Sequence, residues 1–374
     1  MRVALTHLRV APVGGIERFL AASASHLATQ GHEVTVLCRE REGPAPAGCE
    51  LRRLGGIAFS SGGRVRVFDR ALQKHLQPST YDVVLGLGKT QVQDVLRLGG
   101  GLHRVFLERT QQPGQPLRRL DRVSLEIEEQ AFRHPRLRRV IVNSEMVGRE
   151  VQRHFDFPAS RIAVIHNGVD AQRYDRDAHT LAACALRQSL GIAADAVVFL
   201  FLGSGFHRKG LAETLEAFAR LPPVTRLLLV GADHDLPRYR EQARRLNIDA
   251  RVCFLGERAD TPVCYAAADV FVLPTRYDPF ANATLEALAS GLPVITSDRN
   301  GGAEVLTPGR DGAVVALEHG SEGLAQAMSE WSDPQRIAVA RPLARATALR
   351  HPLRAKLEAV EALLKVVQSE KAGT

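Results

Sequence analysis

Short runs of β-branched and apolar residues alternate with helical stretches along this chain, and the alternation runs through twice. In the first half, RVALTHL (2–8), EVTVLCR (33–39), DVVLGLG (82–88), RVFLER (104–109), RVIVNS (139–144) and IAVIHNG (162–168) predict strands. Between the first two, residues 15–32 carry Ile16, Phe19, Leu20 and Leu27 at helical spacing. The pattern restarts with AVVFLFLG (196–203), RLLLVG (226–231), VCFLG (252–256), DVFVLP (269–274) and LPVITS (292–297). Strand–helix–strand repetition of this kind folds as a parallel sheet covered by helices on both faces.

A chain of 374 residues is long for one hydrophobic core. Two doubly wound, Rossmann-like α/β domains in series are therefore expected, residues 1–170 and 171–349. The join falls in the polar stretch GVDAQRYDRDAH (168–179). The tail reads as helices, and the last one, about 350–374, is expected to pack back on the first domain. Open parallel sheets bind ligands beyond the carboxyl ends of their strands, so a cleft between two such sheets is the expected site.

Composition narrows the class. The chain is 45% hydrophobic and 24% charged, which suits a globular protein. No apolar run reaches the roughly 18 residues of a membrane span, and the first residues lack a signal-peptide pattern, so a cytoplasmic protein is expected. The five cysteines are scattered without metal-ligand spacing, which argues for reduced thiols rather than disulfides or zinc. The formal net charge of +8 falls entirely within residues 1–180, where 27 Lys and Arg face 19 Asp and Glu. A phosphorylated acceptor or an anionic membrane surface fits such a half. Nucleic acid is not expected, because no aromatic residues interleave with the basic runs.

Two stretches at predicted strand ends carry chemistry. GSGFHRKG (203–210) supplies Gly203, Gly205 and Gly210, then sets Arg208 beside Lys209 before a helix. Glycines let backbone approach a ligand, and a helix start favours anions. Arginine offers a fork to phosphate oxygens and lysine a point charge. A diphosphate suits this combination, although a lone basic turn is often no more than solvated surface. In the second stretch, YDPFANATLEALASGLPVI (277–295), Asp278 and Glu286 stand eight residues apart. Asn282 is expected to cap the helix that follows, so that the backbone of Phe280, Ala281, Asn282 and Ala283 offers N–H groups to a sugar or phosphate. Glu286 lies about one turn into that helix, where a carboxylate can accept two ribose hydroxyls. GLGKT (86–90) is not a nucleotide P-loop, because Val83 stands where its first glycine belongs.

In this order the motifs resemble the family-4 retaining glycosyltransferases of the GT-B fold, over essentially the whole chain. The residues that carry the resemblance are VGGIER (13–18), HNGVD (166–170), GSGFHRKG, and DPFANATLE followed by GLPVI. The family has Glu where this chain has Asp278, one methylene shorter, which bears on the choice of donor sugar. The resemblance implies that Arg208 and Lys209 bind the donor diphosphate and Glu286 the ribose. Asp278 and the backbone of 280–283 would hold the sugar, and Gly14 and Gly15, like Gly203, would approach the phosphates. Arg258 lies where the family places the nucleobase, and His103 where it often has a histidine facing the donor sugar. Asp94 and Arg109 are acceptor-side candidates. Neither a metal nor any other cofactor is implied, because no acidic pair forms a metal clamp.

Within the family, three features resemble bacterial lipopolysaccharide-core glucosyltransferases: VGGIER, GSGFHRKG and YDPFANATLEAL. They imply transfer of a hexose, glucose first, from a UDP-sugar to a phosphorylated inner-core heptose on a lipid. The enzyme would then sit peripherally on the inner face of the cytoplasmic membrane, with Arg64, Arg66, Arg118 and Arg119 as candidates for the basic face. Another lipid-linked or polysaccharide acceptor, a UDP-GlcNAc 2-epimerase-like enzyme, and a non-catalytic sugar-nucleotide binder are the alternatives.

Overall fold

The computed structural model describes residues 1–12, 14–76, 80–111 and 114–373. The chain divides into two compact units, Met1–His166 together with Arg354–Thr374, and Asn167–Leu353.

The first unit contains, in order, β1 (Arg2–Thr6), β2 (Arg9–Val10), α1 (Gly15–Thr29), β3 (Glu33–Cys38), β4 (Glu40–Arg41), β5 (Glu50–Arg53), α2 (Ser61–His75), β6 (Val83–Gly86) and β7 (Val95–Leu98). These are followed by α3 (His103–Thr110), α4 (Arg119–Arg133), β8 (Arg139–Val142), α5 (Glu145–Phe155) and β9 (Ile162–Val164). Seven strands pair in the order β5-β3-β1-β6-β7-β8-β9, with every pairing parallel. Val3, Ala4 and Leu5 are fully buried because helices cover both faces of the central strand.

One predicted strand is wrong. Residues 104–109 are helical, inside α3, and the strand is β7, nine residues earlier in its start. Arg97 concealed β7 by interrupting its apolar run. That arginine is buried with its guanidinium 3.8 Å from the centre of the Phe19 ring, so its charge is met by the aromatic face rather than by water. The edge strand β5 was also missed, since its residues are largely exposed and polar.

The second unit contains α6 (Thr180–Ser189), β10 (Val198–Leu202), α7 (Phe206–Lys209), α8 (Leu211–Ala219), β11 (Arg226–Val230), α9 (Leu236–Arg245), β12 (Val252–Gly256), α10 (Thr261–Ala267) and β13 (Val270–Leu273). It continues with α11 (Asn282–Ala289), β14 (Val294–Ser297), β15 (Gly312–Val315), α12 (Gly320–Glu330) and α13 (Pro334–Leu349). Its six-stranded sheet has the order β12-β11-β10-β13-β14-β15 and is parallel throughout. The order reverses between β10 and β13, and a crevice opens at such a point because the two crossovers leave in opposite directions.

The last helix, α14 (Leu353–Ala372), belongs with the first unit from Arg354 onward. Val360, Leu364 and Val367 bury one helical stripe in the same core as Val3, Leu5, Val83 and Leu85. Glu361 accepts from His26 at 2.9 Å and His32 at 3.1 Å. Near the other end, Lys371 donates to the Asp82 carbonyl at 2.6 Å, and Arg139 pairs with Glu370. Among the described residues, no helix is long and apolar enough to cross a membrane.

Candidate functional site

The densest cluster of candidates lies beyond the carboxyl ends of β10 and β13, on either side of the order reversal. After β10 the chain makes a glycine turn and the single helical turn α7. Phe206 anchors that turn in the core, its ring edge-on to Phe201 and Tyr239. Asp233, just after β11, accepts the Phe206 N–H at 2.7 Å. The loop after β13 fixes the other end of the turn. Arg276 N–H and Thr275 Oγ1 both donate to the Arg208 carbonyl, at 2.7 and 2.9 Å. Gly210 is required by this packing. Its φ is +80°, and a Cβ there would collide with the Pro274 carbonyl.

The turn aims both cations at the loop after β13. Lys209 Nζ lies 2.6 Å from Asp278 Oδ2, and Arg208 Nη1 lies 2.8 Å from the same oxygen. Arg208 also donates to the Tyr277 carbonyl at 3.2 Å. The arm of Lys209 runs across Gly203, where an added Cβ would sit 3.3 Å from its Cε. Lys209 and Asp278 are both buried. Burial pushes the Asp278 carboxyl up, but the two cations outweigh it and hold it at about 2. Burial lowers the Lys209 ammonium, opposed by Asp278 and Glu286. Glu286 lies on α11, the helix that follows the loop carrying Asp278.

Glu286 is buried on α11, and its Oε2 accepts the Tyr265 hydroxyl at 2.9 Å. The start of α11 differs from expectation. Ala281 holds the cap position, and Asn282 is the first helical residue with no cap bond from its side chain. Asn300, after β14, takes over that task. Its Oδ1 accepts from Ala281 N–H at 3.1 Å and Gly302 N–H at 2.9 Å. Its Nδ2 donates to Thr284 at 3.1 Å and Thr296 at 2.9 Å. The Ala281 amide is therefore already engaged. Tyr265, Asn300 and Asp233 were missed in the sequence, since Asn300 and Asp233 act from other strand ends and Tyr265 from helix α10. The Asn-Gly-Gly after β14 was the available signal for Asn300.

Arg258 stands apart from this cluster. It follows β12, two strands from β10, and forks onto Asp260 at 2.9 and 2.6 Å.

In the first unit, Gly14 caps α1 and Gly15 opens it, exposed. A Cβ on Gly14 would strike the Glu17 carboxylate. Val13, the first residue of that motif, lies outside the described residues. A pocket of about 610 Å³ opens beyond β1, β6 and β7, and His103 and Lys89 both line it. His103 Nε2 is 3.2 Å from Asp121 Oδ1. Burial, then the charge of Lys89, lowers the His103 imidazolium, with Asp121 opposing. Glu128 reaches from α4 to accept the His103 N–H, at 2.5 Å, and so caps α3 in place of Leu102. Lys89 adopts a left-handed φ of 57°. It belongs to the GLGKT turn, whose failure as a P-loop hid its place here.

Two acceptor-side candidates fall elsewhere. Asp94 is a structural hub rather than a ligand contact. It precedes β7, at the amino end of the sheet, and is almost fully buried. Arg136 holds it with two bonds of 3.0 and 3.1 Å, and the Val84 N–H donates to it at 2.7 Å. Arg109 is exposed in the last turn of α3, a full helix length from His103. On the basic face, Arg64 pairs with Glu40 at 3.2 Å and Arg66 with Glu126, whereas Arg118 and Arg119 are exposed at the start of α4.

Comparison with known proteins gives two family matches. Residues 13–173 match the model described as Glycosyltransferase Family 4, and residues 184–341 the one described as Glycosyl transferases group 1. The chain is 28% identical over 303 residues to the lipopolysaccharide glucosyltransferase WaaG of Escherichia coli strain K12, covering 79% of this chain and 80% of that one. It superimposes on a crystal structure of WaaG with a TM-score of 0.83 and 25% identity, over 97% of this chain and 99% of that chain. A structure of Anabaena Alr3699/HepE in complex with UDP and glucose matches with a TM-score of 0.75 and 23% identity, over 98% and 99% of the two chains.

Proposed function

We propose that this chain is a hexosyltransferase of the family-4, GT-B kind, which moves glucose from a UDP-sugar to a phosphorylated lipopolysaccharide inner-core heptose with retention of anomeric configuration. The name of the WaaG relative supports the acceptor class, and the UDP and glucose held by HepE support the donor class. One observation carries the reading. Two adjacent cations on a glycine turn meet Asp278 beyond the carboxyl ends of β10 and β13, with Glu286 on the helix that follows the same loop.

In this mechanism Arg208 and Lys209 hold the diphosphate and stabilise the charge that grows on the leaving phosphate. Glu286, oriented by Tyr265, accepts the ribose hydroxyls. Asp278 and the amides beside Ala281 orient the hexose, and Arg258 lies on the nucleobase side. In the first unit, Gly14 and Gly15 leave the start of α1 uncrowded by side chains, and His103 lines that unit's own pocket. A leaving phosphate oxygen takes the acceptor proton on the same face, so no protein nucleophile is required. The acceptor lipid draws the enzyme to the inner face of the cytoplasmic membrane, where exposed Arg118 and Arg119 meet anionic headgroups.

The test is incubation of UDP-[¹⁴C]glucose with purified truncated core lipid, followed by NMR of the product linkage. The expected product is an α-glucoside, and added chelator leaves the rate unchanged. No labelled lipid, with UDP-glucose bound and intact, would reject the acceptor. A β-linked product would reject retention.

A further inference from the structure

Asp278 meets both cations of the cluster on a single oxygen, Oδ2. Its backbone is fixed on both sides. The Asp278 N–H donates to the Arg299 carbonyl at 3.0 Å, and its carbonyl accepts from Gly301 N–H at 2.9 Å. An isolated parallel bridge to Asn300 completes the clamp, and Asn300 is itself held by four side-chain bonds. With its Cβ fixed, an aspartate carboxylate swings through only a short arc. The long arms of Arg208 and Lys209 are the parts able to move.

On the reading that a donor diphosphate binds Arg208 and Lys209, we infer that Asp278 is an internal counter-ion that this diphosphate displaces. The cations exchange one carboxylate oxygen for phosphate oxygens. The carboxylate left behind is buried, and the two cations that hold its proton affinity down are the groups the diphosphate draws away. It then needs new hydrogen-bond donors, and hydroxyls of the hexose are the groups the donor brings to that place.

The consequence is a discrimination between sugar nucleotide and bare nucleotide. UDP alone breaks the ion pair and leaves a buried carboxylate without replacement donors, which is costly. UDP-hexose breaks the same pair and repairs the loss. A site built around a polar partner rejects the analogue that lacks it far more strongly than one built on apolar contact. After transfer, the carboxylate recovers its cations and helps to expel UDP. A glutamate here would have one more torsion with which to withdraw from the cations, so the tight coupling belongs to the shorter side chain.

The test is calorimetric titration of UDP and UDP-glucose into the wild-type chain, Asp278→Asn and Lys209→Ala. The wild type is expected to bind UDP-glucose at least about tenfold tighter than UDP, the scale of one hydrogen bond to a charged group. Asp278→Asn is expected to bind UDP several-fold tighter than the wild type and to lose most of the preference for UDP-glucose. Equal wild-type affinities overturn the inference without any variant, so misfolding of Asp278→Asn does not shield it. Folded Asp278→Asn that binds UDP no better than the wild type also overturns it. If Lys209→Ala binds UDP as the wild type does, the diphosphate reading fails, and the inference with it. Loss of UDP binding in Lys209→Ala beside an unchanged Asp278→Asn removes the inference alone.

Discussion

The hydroxyl of Tyr265 donates to Glu286 Oε2 across 2.9 Å, and both residues are buried. Tyr265 sits on α10, edge-on to Tyr174 and tilted against Phe271, so aromatic packing fixes its ring before any ligand arrives. A carboxylate aimed in this way loses little freedom when it accepts ribose hydroxyls. Tyr265→Phe keeps the packing and removes the donor. The expected result is a rise of about tenfold in the UDP-glucose Kd, from loss of one hydrogen bond to a charged group. The melting temperature is expected to shift by only a few degrees, and unchanged affinity would mean that Glu286 needs no such orientation.

Asn300 ties the start of α11, distant in sequence, to its own neighbours, the 3₁₀ turn at 301–305 and the end of β14. Asn300→Ala leaves the Ala281 and Gly302 amides and two threonine hydroxyls without their partner. A cost of about 2–4 kcal/mol in unfolding free energy is expected, from buried groups stripped of hydrogen bonds. Denaturant melts of the purified variant measure it. Asn300→Asp keeps the acceptor but loses the donor, and should fall between the two.

Two glycines of the same turn separate strain from collision. Gly205 has a φ of +76°, but an added Cβ would find only Arg208, 4.0 Å away. Gly205→Ala should therefore cost about 1–2 kcal/mol, the strain of a left-handed residue. Gly210→Ala adds a clash with the Pro274 carbonyl and should abolish soluble expression or donor binding. Similar stability for the two variants in thermal melts would refute the role given to close approach.

Acid should loosen α14. Burial raises the Glu361 carboxyl, but Lys365, His32 and His26 together hold it at about 2. A carboxylate depressed in the folded state stabilises it above the ordinary value near 4.5, and the contribution disappears as pH falls towards 2. Glu361 lies under its partners yet near the surface, so screening trims the contribution to about 2 kcal/mol. Glu361→Gln should be less stable than the wild type at pH 6, and the gap should close between about pH 4.5 and 2. Urea melts across that range measure it. A gap independent of pH would assign the effect to packing.

The loop before α2 presents Ile57, 85% exposed, and Phe59, fully exposed, next to a helix whose exposed side includes Arg66, Arg70 and Lys74. Apolar tips beside cations suit insertion into an anionic interface. Sedimentation with phosphatidylglycerol vesicles is expected to pellet the wild type and to pellet Phe59→Ser several-fold less. Pure phosphatidylcholine vesicles should pellet neither. Equal pelleting of the two proteins would place the membrane contact elsewhere.

Much of the fold was legible because local rules determine it. Continuous apolar runs such as VFLFL and RLLLV can be satisfied only as strands buried on both faces. Reading failed where burial was polar. Arg97 disguised β7 because nothing local reveals that Phe19 will cover its charge. The largely exposed β5 has no apolar alternation to read. Asp94 was an acceptor-side candidate from the sequence. In the fold it lies at the amino end of the sheet beneath Arg136.

By itself the sequence determined the repeated strand–helix order, and with it the parallel sheets and the loops that carry the glycine turn and the acidic pair. Those depend on hydrophobic period and on glycine, which act over a few residues. Only the tertiary structure decided that Lys209 and Arg208 would share one oxygen of Asp278, that Asn300 rather than Asn282 would secure the start of α11, and that Tyr265 would aim Glu286. Each of these joins residues 16 to 70 or so positions apart. Hydrogen bonds and ion pairs at such range are set by strand order and by exclusion of water, and neither is written in any local stretch of the chain.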